Sequence, residues 1–313
     1  MQFIPKDRIL EHRSDTLLAI RKELNLEKPG QMEDAIKILK EWLEKQHHFK
    51  KKDFSDFFLE TTIVVCKGSL ERAKTQLDRM CTSRTVLPQF YKIYNVKTDF
   101  AYMFEIITPI VLPKLTSDHH RVILIKINKN IFLMKDHFHF FVYNMILAIY
   151  LKNHDYCRGF YIISDFTEIN LMDFLPNINL VVVRQALSLF IECHGMRVKG
   201  IHIFSPSKLI DSFITLLKQV TSSKVGGRIH SHKKLEELKN ILPLEILPEE
   251  YGGKERSIKV LLDEWIDALS SKEHLKCLED LSKAGTDEAY RRADNFNEQY
   301  AGMPGTFRLL SVD

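Results

Sequence analysis

The residues of this chain that could carry chemistry are scattered rather than clustered. Histidines occur in close pairs such as His230/His232, but no H-E-x-x-H motif and no cysteine pair with zinc-site spacing accompanies them. Ser164-Asp165 lacks the flanking glycines of a nucleophile elbow, and no glycine-rich phosphate-binding motif occurs. The sequence therefore predicts no metal site, no cofactor and no catalytic residue, and we expect a protein that is not an enzyme.

Asp165 is the acidic residue best placed for function, because it ends a short apolar run of β-forming residues. Ligands of α/β proteins often lie at the carboxyl ends of such strands. A carboxylate that caps or anchors the following loop is the more common arrangement. We favour this structural role for Asp165.

Two pairs of basic residues stand out by their spacing. Arg197 and Lys199 are two residues apart and would lie on one side of a strand, whereas Lys224 and Arg228 would share a face of a helix. Each pair alone is typical of solvated surface. Because 45 basic residues face 41 acidic ones and the net charge is +4, nucleic acid is not indicated as a partner.

Two kinds of periodicity divide the chain. From Asp7 to about Asn95 the apolar spacing predicts a small bundle of amphipathic helices, with Ser69 as an N-cap and Lys28-Pro29-Gly30 as a turn. Short β-forming runs then alternate with segments long enough for helices. These runs are VILIKIN (122–128), GFYIISDF (159–166) and KGIHIFS (199–205). The pattern predicts an α/β fold with a mainly parallel sheet.

The segment after the third predicted strand has an unusually wide apolar face. The stretch Ser207–Thr221 would place apolar residues around more than half of a helix. Without further information it is an ordinary core helix, and a lid over an apolar cavity is the alternative. We also expect one amphipathic helix over Ile258–Leu281, and beyond Gly285 a polar tail that lies along the body or is loose.

Several features favour a cytoplasmic protein. The five cysteines are widely spaced and odd in number, which argues against a disulfide framework. Charged residues interrupt the first 20 positions, so we expect no signal peptide. The longest stretch without formal charge, His137–Leu151, is shorter than the roughly 20 residues that a membrane-spanning helix needs.

The connector Ile241–Glu255 contains two prolines and a glycine pair. Pro243 and Pro248 cannot lie inside a continuing helix, and Gly252-Gly253 permits a sharp turn. We expect the leucine and isoleucine side chains of this connector to be buried.

Four of these segments together resemble the CRAL-TRIO family. They are GFYIISDF, RVKGIHIFSPSKLIDSF (197–213), SSKVGGRIHSHKKLEEL (222–238) and LPLEILPEEYGG (242–253), in the order and spacing of the alpha-tocopherol transfer protein and cellular retinaldehyde-binding protein branch. The resemblance covers roughly Phe54 to Trp265. CKGSLERAKTQLDRMCTSRT (66–85) resembles the family's N-terminal helical module, and the ending GTFRLLSVD resembles insect members.

The resemblance implies an N-terminal helical module over residues 1–95, a lipid-binding domain over 96–253 and a C-terminal helix with an extended tail over 254–313. The lipid domain would have a parallel-rich sheet, flanking helices and a gating helix, Ser207–Thr221, over an apolar cavity. The residues expected to line this cavity are Phe140, Tyr143, Leu147, Ile163, Phe166, Leu187, Phe190, Ile191, Ile203, Phe213, Leu217 and Val220. Tyr143 could supply one orienting hydroxyl.

The resemblance also implies a basic cleft for phosphoinositide headgroups. Arg197, Lys199, Lys224 and Arg228 fall on four of its positions. Two further arginines of that cleft correspond to Val64 and Thr75 in this chain, and the substitution puts headgroup affinity in question. Lys67 or Lys74 could compensate for these two substitutions.

The resulting hypothesis is an intracellular carrier that binds a tocopherol-, retinoid- or carotenoid-like molecule and exchanges it with membranes to which it attaches reversibly. A phospholipid or phosphoinositide exchanger would bury basic or hydroxyl groups inside the cavity. An adaptor that presents a protein-interaction surface is a second alternative, and an α/β enzyme is a third. No protein partner is indicated.

Overall fold

The computed structural model describes residues 3–129 and 134–291, and its N-terminal part is helical. Ser55 and Ser69 each accept a hydrogen bond from a backbone N–H in the first turn of the following helix, and Gly30 precedes another helix with a φ of 88°. The helices are α1 (Thr16–Glu23), α2 (Gln31–Glu44), α3 (Asp56–Val65) and α4 (Leu70–Val86). The predicted N-terminal helical region is confirmed.

A five-stranded sheet forms the centre of the molecule. Its strands are β1 (Ile107–Val111), β2 (Arg121–Ile127), β3 (Phe160–Asp165), β4 (Val198–Phe204) and β5 (Ile229–His232), and they lie in sequence order across the sheet. β1 pairs antiparallel with β2, and the other pairs are parallel. The mainly parallel sheet is confirmed, while the outer strands β1 and β5 were not predicted. β1 carries Pro109, which is compatible with an edge strand.

Helices connect and flank the strands. They are α5 (Val96–Asp99), α6 (Ala101–Ile106), α7 (Met134–His154), α8 (Leu171–Phe174), α9 (Leu180–Ser188), α10 (Ile210–Gln219) and α11 (Ser223–Gly226). A π-helical turn, Leu189–Cys193, directly continues α9. Short 3-10 turns occupy Pro88–Tyr91, Leu175–Asn177, Leu235–Asn240, Glu249–Tyr251 and Glu288–Tyr290. The long apolar stretch of the sequence is thus part of α7.

The connector 241–255 buries only part of its apolar side chains, because Leu244 is 37% exposed and Ile241 is half-buried, contrary to expectation. Leu242, Ile246 and Leu247 are buried, and Gly252 adopts a φ of 71°. A Cβ on Gly253 would lie 1.9 Å from the Leu247 carbonyl oxygen, so a side chain does not fit there. The connector therefore needs both glycines, one for its conformation and one for its close approach to the chain.

The expectation of one helix over Ile258–Leu281 is wrong. The chain forms α12 (Ile258–Leu269) and α13 (Lys272–Ser282), because α12 ends at the C-cap Ser270 and Ser271 caps the second helix by accepting a hydrogen bond from the His274 N–H. Trp265 of α12 is buried and donates to the Val111 carbonyl oxygen at 2.8 Å. This hydrogen bond fixes α12 against the antiparallel edge of the sheet.

The chain after α13 lies along the N-terminal helices. The Asp287 N–H donates to the His48 carbonyl oxygen at 2.8 Å, and Thr286 pairs with Phe49 as an isolated bridge. Of the two expected arrangements, the tail therefore lies along the body of the molecule as far as residue 291. The rest of the tail, including GTFRLLSVD, lies outside the described residues.

Within the described ranges, no individual helix has the length and apolar composition of a membrane span. One bent pair, Leu171–Asn177 with Leu180–Cys193, meets those two criteria with an angle of 77° between its halves.

Candidate functional site

An apolar cavity of about 200 Å³ lies against one face of the sheet. Two cross-strand rows of side chains form its floor. The first row runs Ile123, Ile162, Ile201 and Ile229 through four paired strands, and the second runs Ile125, Ser164 and Ile203. Because side chains alternate between the two faces of a strand, these rows follow directly from the register.

Helices and loops close the cavity on its other sides. α7 contributes Phe140, Phe141, Asn144 and Met145, and α10 contributes Phe213 and Leu217. The ring of Phe213 lies 5.3 Å from that of Phe166 and 6.0 Å from that of Phe174, centroid to centroid. This aromatic cluster joins the end of β3 to α8 and α10 and forms part of the wall.

The structure brings together many of the residues expected around the cavity and adds others. The expected residues on the wall are Phe140, Phe166, Leu187, Phe190, Ile203, Phe213 and Leu217. Wall residues that sequence reasoning missed are Ile107, Ile123, Ile125, Ile127, Phe141, Asn144, Met145, Ile162, Ser164, Phe174, Ile178, Val183, Ala186, Ile201, Thr221 and Ile229. The alternation of isoleucines in VILIKIN was the available signal for the β2 contribution.

Tyr143 and Leu147 lie outside the cavity wall, in the core on another side of α7. At 3.6 residues per turn, their stripe is rotated by roughly 60°, about a sixth of a turn, from the stripe of Phe140 and Asn144. The Tyr143 hydroxyl donates to the Pro109 carbonyl oxygen at 3.0 Å, and burial raises the pKa of this phenol. It therefore anchors α7 to β1 and does not face the cavity.

Ile163, Ile191 and Val220 were also expected on the cavity wall but lie elsewhere, and the cause is local in each case. Ile163 pairs with Leu124 and His202 on the opposite face of the sheet, because its neighbour Ile162 takes the cavity side. Ile191 lies in the π-helical turn and packs on the core, whereas the preceding residue, Phe190, reaches the cavity. α10 ends at Gln219, which leaves Val220 off the wall and places Thr221 on it.

A basic surface, which we call the basic face, is formed by Lys67, Arg197, Lys199, Lys224 and Arg228. Repulsion from Arg197, followed by burial and by Lys224, Arg72 and Arg228, lowers the pKa of Lys67, so these cations lie near Lys67. Lys199 lies near Arg197, because burial and then both of these cations lower the pKa of His120 against the opposing effect of Asp118. Burial lowers the pKa of Arg197, the Glu23 carboxylate opposes this shift, and repulsion from Arg228 adds to it. Among the described residues, no carboxylate forms an ion pair with any of the five cations.

Local geometry decides which cations join the basic face. β4 contains a bulge in which Phe160 pairs with Val198 and Tyr161 pairs with Gly200, so Lys199 is the extra, exposed residue. Arg228 is held in place because its guanidinium donates to the Val198 carbonyl oxygen. The bulge and this hydrogen bond present both side chains at the start of the parallel strands.

Val64 and Thr75, which stand where arginines were expected, make local contacts instead. Val64 is buried in a small cluster with Ile20 and Tyr156, and the Thr75 hydroxyl donates to the Glu71 carbonyl oxygen. Lys74 forms an ion pair with Glu71 at 2.7 Å. Lys67 instead follows α3 with a φ of 56° and stays exposed. Of the two candidates for compensation, Lys67 is therefore the one within the basic face.

Asp165 has a structural role at the end of β3. One carboxylate oxygen accepts hydrogen bonds from the Thr167 N–H at 2.9 Å and the Thr167 hydroxyl at 2.6 Å, and the other accepts from the Tyr251 hydroxyl at 2.9 Å. It thereby joins the strand to the connector 241–255. Within the described ranges, no three histidine, cysteine or acidic side chains lie close enough together to hold a metal ion.

Comparisons with known proteins agree with this architecture. A family model described as "CRAL/TRIO domain" matches residues 95–253, and one described as "Pinta-like, UBA domain" matches residues 28–100. The solved "Crystal structure of Sfh5" aligns over 87% of this chain and 98% of its own, with a TM-score of 0.50 and 10% identity. At that identity the likeness shows the fold alone.

Curated relatives match more locally. "Alpha-tocopherol transfer protein-like" of Mus musculus is 24% identical over 97 residues, and that of Homo sapiens is 23% identical over the same length. Each match spans 31% of this chain and 28% of the relative. The family model covers about half of the chain, and the cavity lies within the matched range. The chain therefore belongs to the CRAL/TRIO family, whose members bind lipophilic ligands and transfer them.

Proposed function

We propose that this chain is a carrier that holds a tocopherol-, retinoid- or carotenoid-like molecule in the apolar cavity and exchanges it with membranes. The observation that carries the proposal is the cavity of about 200 Å³ between the isoleucine rows of the sheet and the phenylalanines of α7 and α10. A ligand that buries roughly 300 Å² of apolar surface there gains on the order of 7 kcal/mol, at about 25 cal/mol per Å².

The few polar side chains on the wall indicate the chemistry of the ligand. The Asn144 amide donates to the Phe140 carbonyl oxygen at 2.6 Å, which leaves its own carbonyl oxygen as an acceptor. Among the described residues, the Ser164 hydroxyl has no hydrogen-bond partner. The described wall contains no lysine, arginine or histidine. This combination suits a hydrocarbon with one hydroxyl or carbonyl group better than a phospholipid, whose phosphate would be left without a cation.

α10 is the candidate gate. Its Phe213 and Leu217 face the cavity, whereas Asp211, Thr215 and Lys218 are exposed. The cavity is smaller than the roughly 300–1,000 Å³ typical of small-molecule pockets. We therefore expect loading to move α10 outwards, which would open the contact of Phe213 with the aromatic cluster. A membrane surface could stabilise the open form by covering the apolar face of α10.

The basic face is the candidate membrane-attachment site. Its clustered cations form no ion pair with a carboxylate in the described part of the chain and can form charge-assisted hydrogen bonds with phosphate groups. Each cation near an anionic lipid surface contributes about 1 kcal/mol. We propose phosphoinositide headgroups as the ligand of this face, with Lys67 in place of the arginines expected at Val64 and Thr75.

The carrier function is tested on the purified full chain. Native mass spectrometry, followed by organic extraction and identification of the released molecules, should give one lipophilic ligand per chain. The same ligand should remain in an Arg197→Glu/Lys199→Glu variant, because these residues lie outside the cavity wall. If no lipid co-purifies and none binds when tocopherol, retinol and a carotenoid are offered, the carrier proposal is wrong. The hypothesis of a protein-interaction adaptor would then be preferred.

Membrane attachment is tested separately with vesicles containing phosphatidylinositol bisphosphate. Lys67→Glu should weaken vesicle binding by roughly 30-fold, since it changes two units of charge at about 1 kcal/mol each. Lys37→Glu is the control, because Lys37 is exposed on α2 and is not among the cations that affect the pKa of Lys67. Equal losses in both variants would show that net charge, and not the basic face, governs attachment.

A further inference from the structure

A second, much smaller cavity of about 20 Å³ lies between α3, α7 and the chain that follows the π-helical turn. Its wall includes Thr61 and Val65 of α3, Lys152 of α7, Cys157 and His194. Lys152 is 6% exposed, and its ammonium nitrogen is buried without a hydrogen-bond partner among the described residues. Lys152, which has a buried ammonium group, thus borders a cavity that can hold one water-sized particle, which needs about 10–15 Å³.

The neighbours of Lys152 compensate its charge only weakly. Its Nζ lies 5.4 Å from the centre of the Phe58 ring, a distance at which a cation–π contact contributes part of the lost hydration. Burial raises the pKa of the thiols of Cys66 and Cys157, so both thiols are neutral at pH 7. Tyr156, which also borders the cavity, stays neutral as well, because burial raises the pKa of its phenol.

The carboxylate on the cavity wall is already engaged. Asp155 accepts hydrogen bonds from the Arg121 guanidinium at 2.6 and 2.9 Å and lies 3.0 Å from the His12 imidazole. Burial opposes its ionisation, but Arg121 and His12 hold the pKa of Asp155 below its usual value. In the described part of the chain, Lys152 forms no ion pair. Its charge therefore has no protein counter-ion there.

A second buried cation, Arg84, borders a separate small cavity and is linked to His194 through Tyr91. Arg84 is 6% exposed, and one of its terminal nitrogens donates to the Met80 carbonyl oxygen at 2.8 Å. Its Nε and Nη2 have no partner among the described residues, and its guanidinium carbon lies 4.5 Å from the centre of the Tyr91 ring. His194 is influenced by both cations, because burial and then Arg84 and Lys152 hold its pKa well below the usual value. The region thus carries two positive charges around a neutral imidazole.

Burying two positive charges in this way lowers the free energy of unfolding unless a neighbouring group or ion supplies negative charge. A buried, unpaired charge costs several kcal/mol, and an arginine side chain cannot relieve the cost by losing its proton. A trapped water molecule would provide an acceptor but no charge. A small anion would provide both. We propose that the cavity beside Lys152 binds one small monovalent anion, of the size of chloride, with the Lys152 ammonium group as its principal donor and the charge of Arg84 as additional support.

The first test compares thermal unfolding in sodium chloride with that in sodium gluconate at equal ionic strength, because gluconate is too large for a cavity of about 20 Å³. Chloride should raise the Tm of the native chain by roughly 2 °C or more. Lys37→Met, which removes an exposed positive charge, should keep this shift, and Lys152→Met should lose it. An equal chloride shift in the native chain and in Lys152→Met would overturn the proposal.

The second test uses the unaltered chain and does not depend on whether the variant folds. Burial lowers the pKa of Lys152 to about 8. Chloride should raise this pKa relative to gluconate, as measured by NMR with carbon-13 in the lysine side chains. Crystals soaked in bromide should show an anomalous peak next to Nζ. An unchanged pKa, or a cavity that holds only water in bromide, would refute the anion site.

Discussion

Filling the apolar cavity should weaken ligand binding strongly without unfolding the protein. Ala186 of α9 borders the cavity and is 2% exposed, so Ala186→Phe directs a benzyl ring into a space of about 200 Å³. If the ring displaces roughly 100 Å² of ligand contact at about 25 cal/mol per Å², the loss is about 2.5 kcal/mol, or about 60-fold in Kd. Retinol fluorescence titration measures this change directly. Thermal unfolding of the same samples should show little loss of stability, because the ring occupies existing space.

Val181→Phe is the matched control. Val181 lies on the same helix but is 55% exposed, so the same ring would project into solvent. Retinol affinity of this variant should equal that of the native chain. The reasoning is refuted if Ala186→Phe folds normally and still binds retinol as tightly as Val181→Phe does.

Three further changes test the framework around the cavity. Tyr251→Phe removes the 2.9 Å hydrogen bond to the Asp165 carboxylate and should lower the free energy of unfolding in urea by about 1.5–3 kcal/mol; an unchanged midpoint would contradict this role. Gly253→Ala should lower the free energy of unfolding by about 3 kcal/mol or prevent folding, because its Cβ would lie 1.9 Å from the Leu247 carbonyl oxygen. Native-like stability of this variant would show that the connector can move to accommodate a side chain. Burial and two neighbouring histidines lower the pKa of His202 to about 4. The contribution of its neutral imidazole to the free energy of unfolding is therefore complete above the unfolded pKa of about 6.5 and is lost as pH falls towards 4. His202→Asn should therefore reduce the acid-induced loss of stability between these pH values by about 1–2 kcal/mol, a figure lowered because the side chain is partly exposed. If the free energy of unfolding has the same pH dependence in the variant and in the native chain, the lowered pKa is wrong.

The central strands could be predicted because their residues combine β-branching with clear boundaries. VILIKIN and GFYIISDF are bounded by polar residues or glycine, and the structure forms β2 and β3 there. β5 has the sequence IHSH, which carries no such signal, and it forms through its pairing with β4. Non-local pairing of this kind cannot be read from the local pattern.

The choice of cavity residues depended on register, and a shift of one residue changes the face. Ile162 and Ile163 are indistinguishable by composition, yet the register opposite Ile123 places Ile162 on the cavity side. On α7, Phe140 and Tyr143 are both aromatic, and the hydrogen bond of Tyr143 to the Pro109 carbonyl oxygen assigns it to the other side. These assignments require the packed structure.

The composition of the basic face was likewise only partly visible in the sequence. Lys67 and Lys74 were equivalent candidates to support Arg197. The backbone after α3 takes a positive φ at Lys67 and presents it beside Arg197, whereas Glu71 pairs with Lys74. Spacing alone does not show which of two neighbouring cations a carboxylate binds.

The central claim is that a lipophilic ligand occupies the cavity between the sheet and α10. Photolabelling with a diazirine analogue of retinol, followed by mapping of the labelled peptides by mass spectrometry, tests this claim most directly. We predict labels on wall residues such as Ile203, Phe213 and Leu217, competed by unlabelled retinol and reduced in the Ala186→Phe variant. Labels confined to exposed residues such as Met172 and Val181, and unaffected by that variant, would contradict the account.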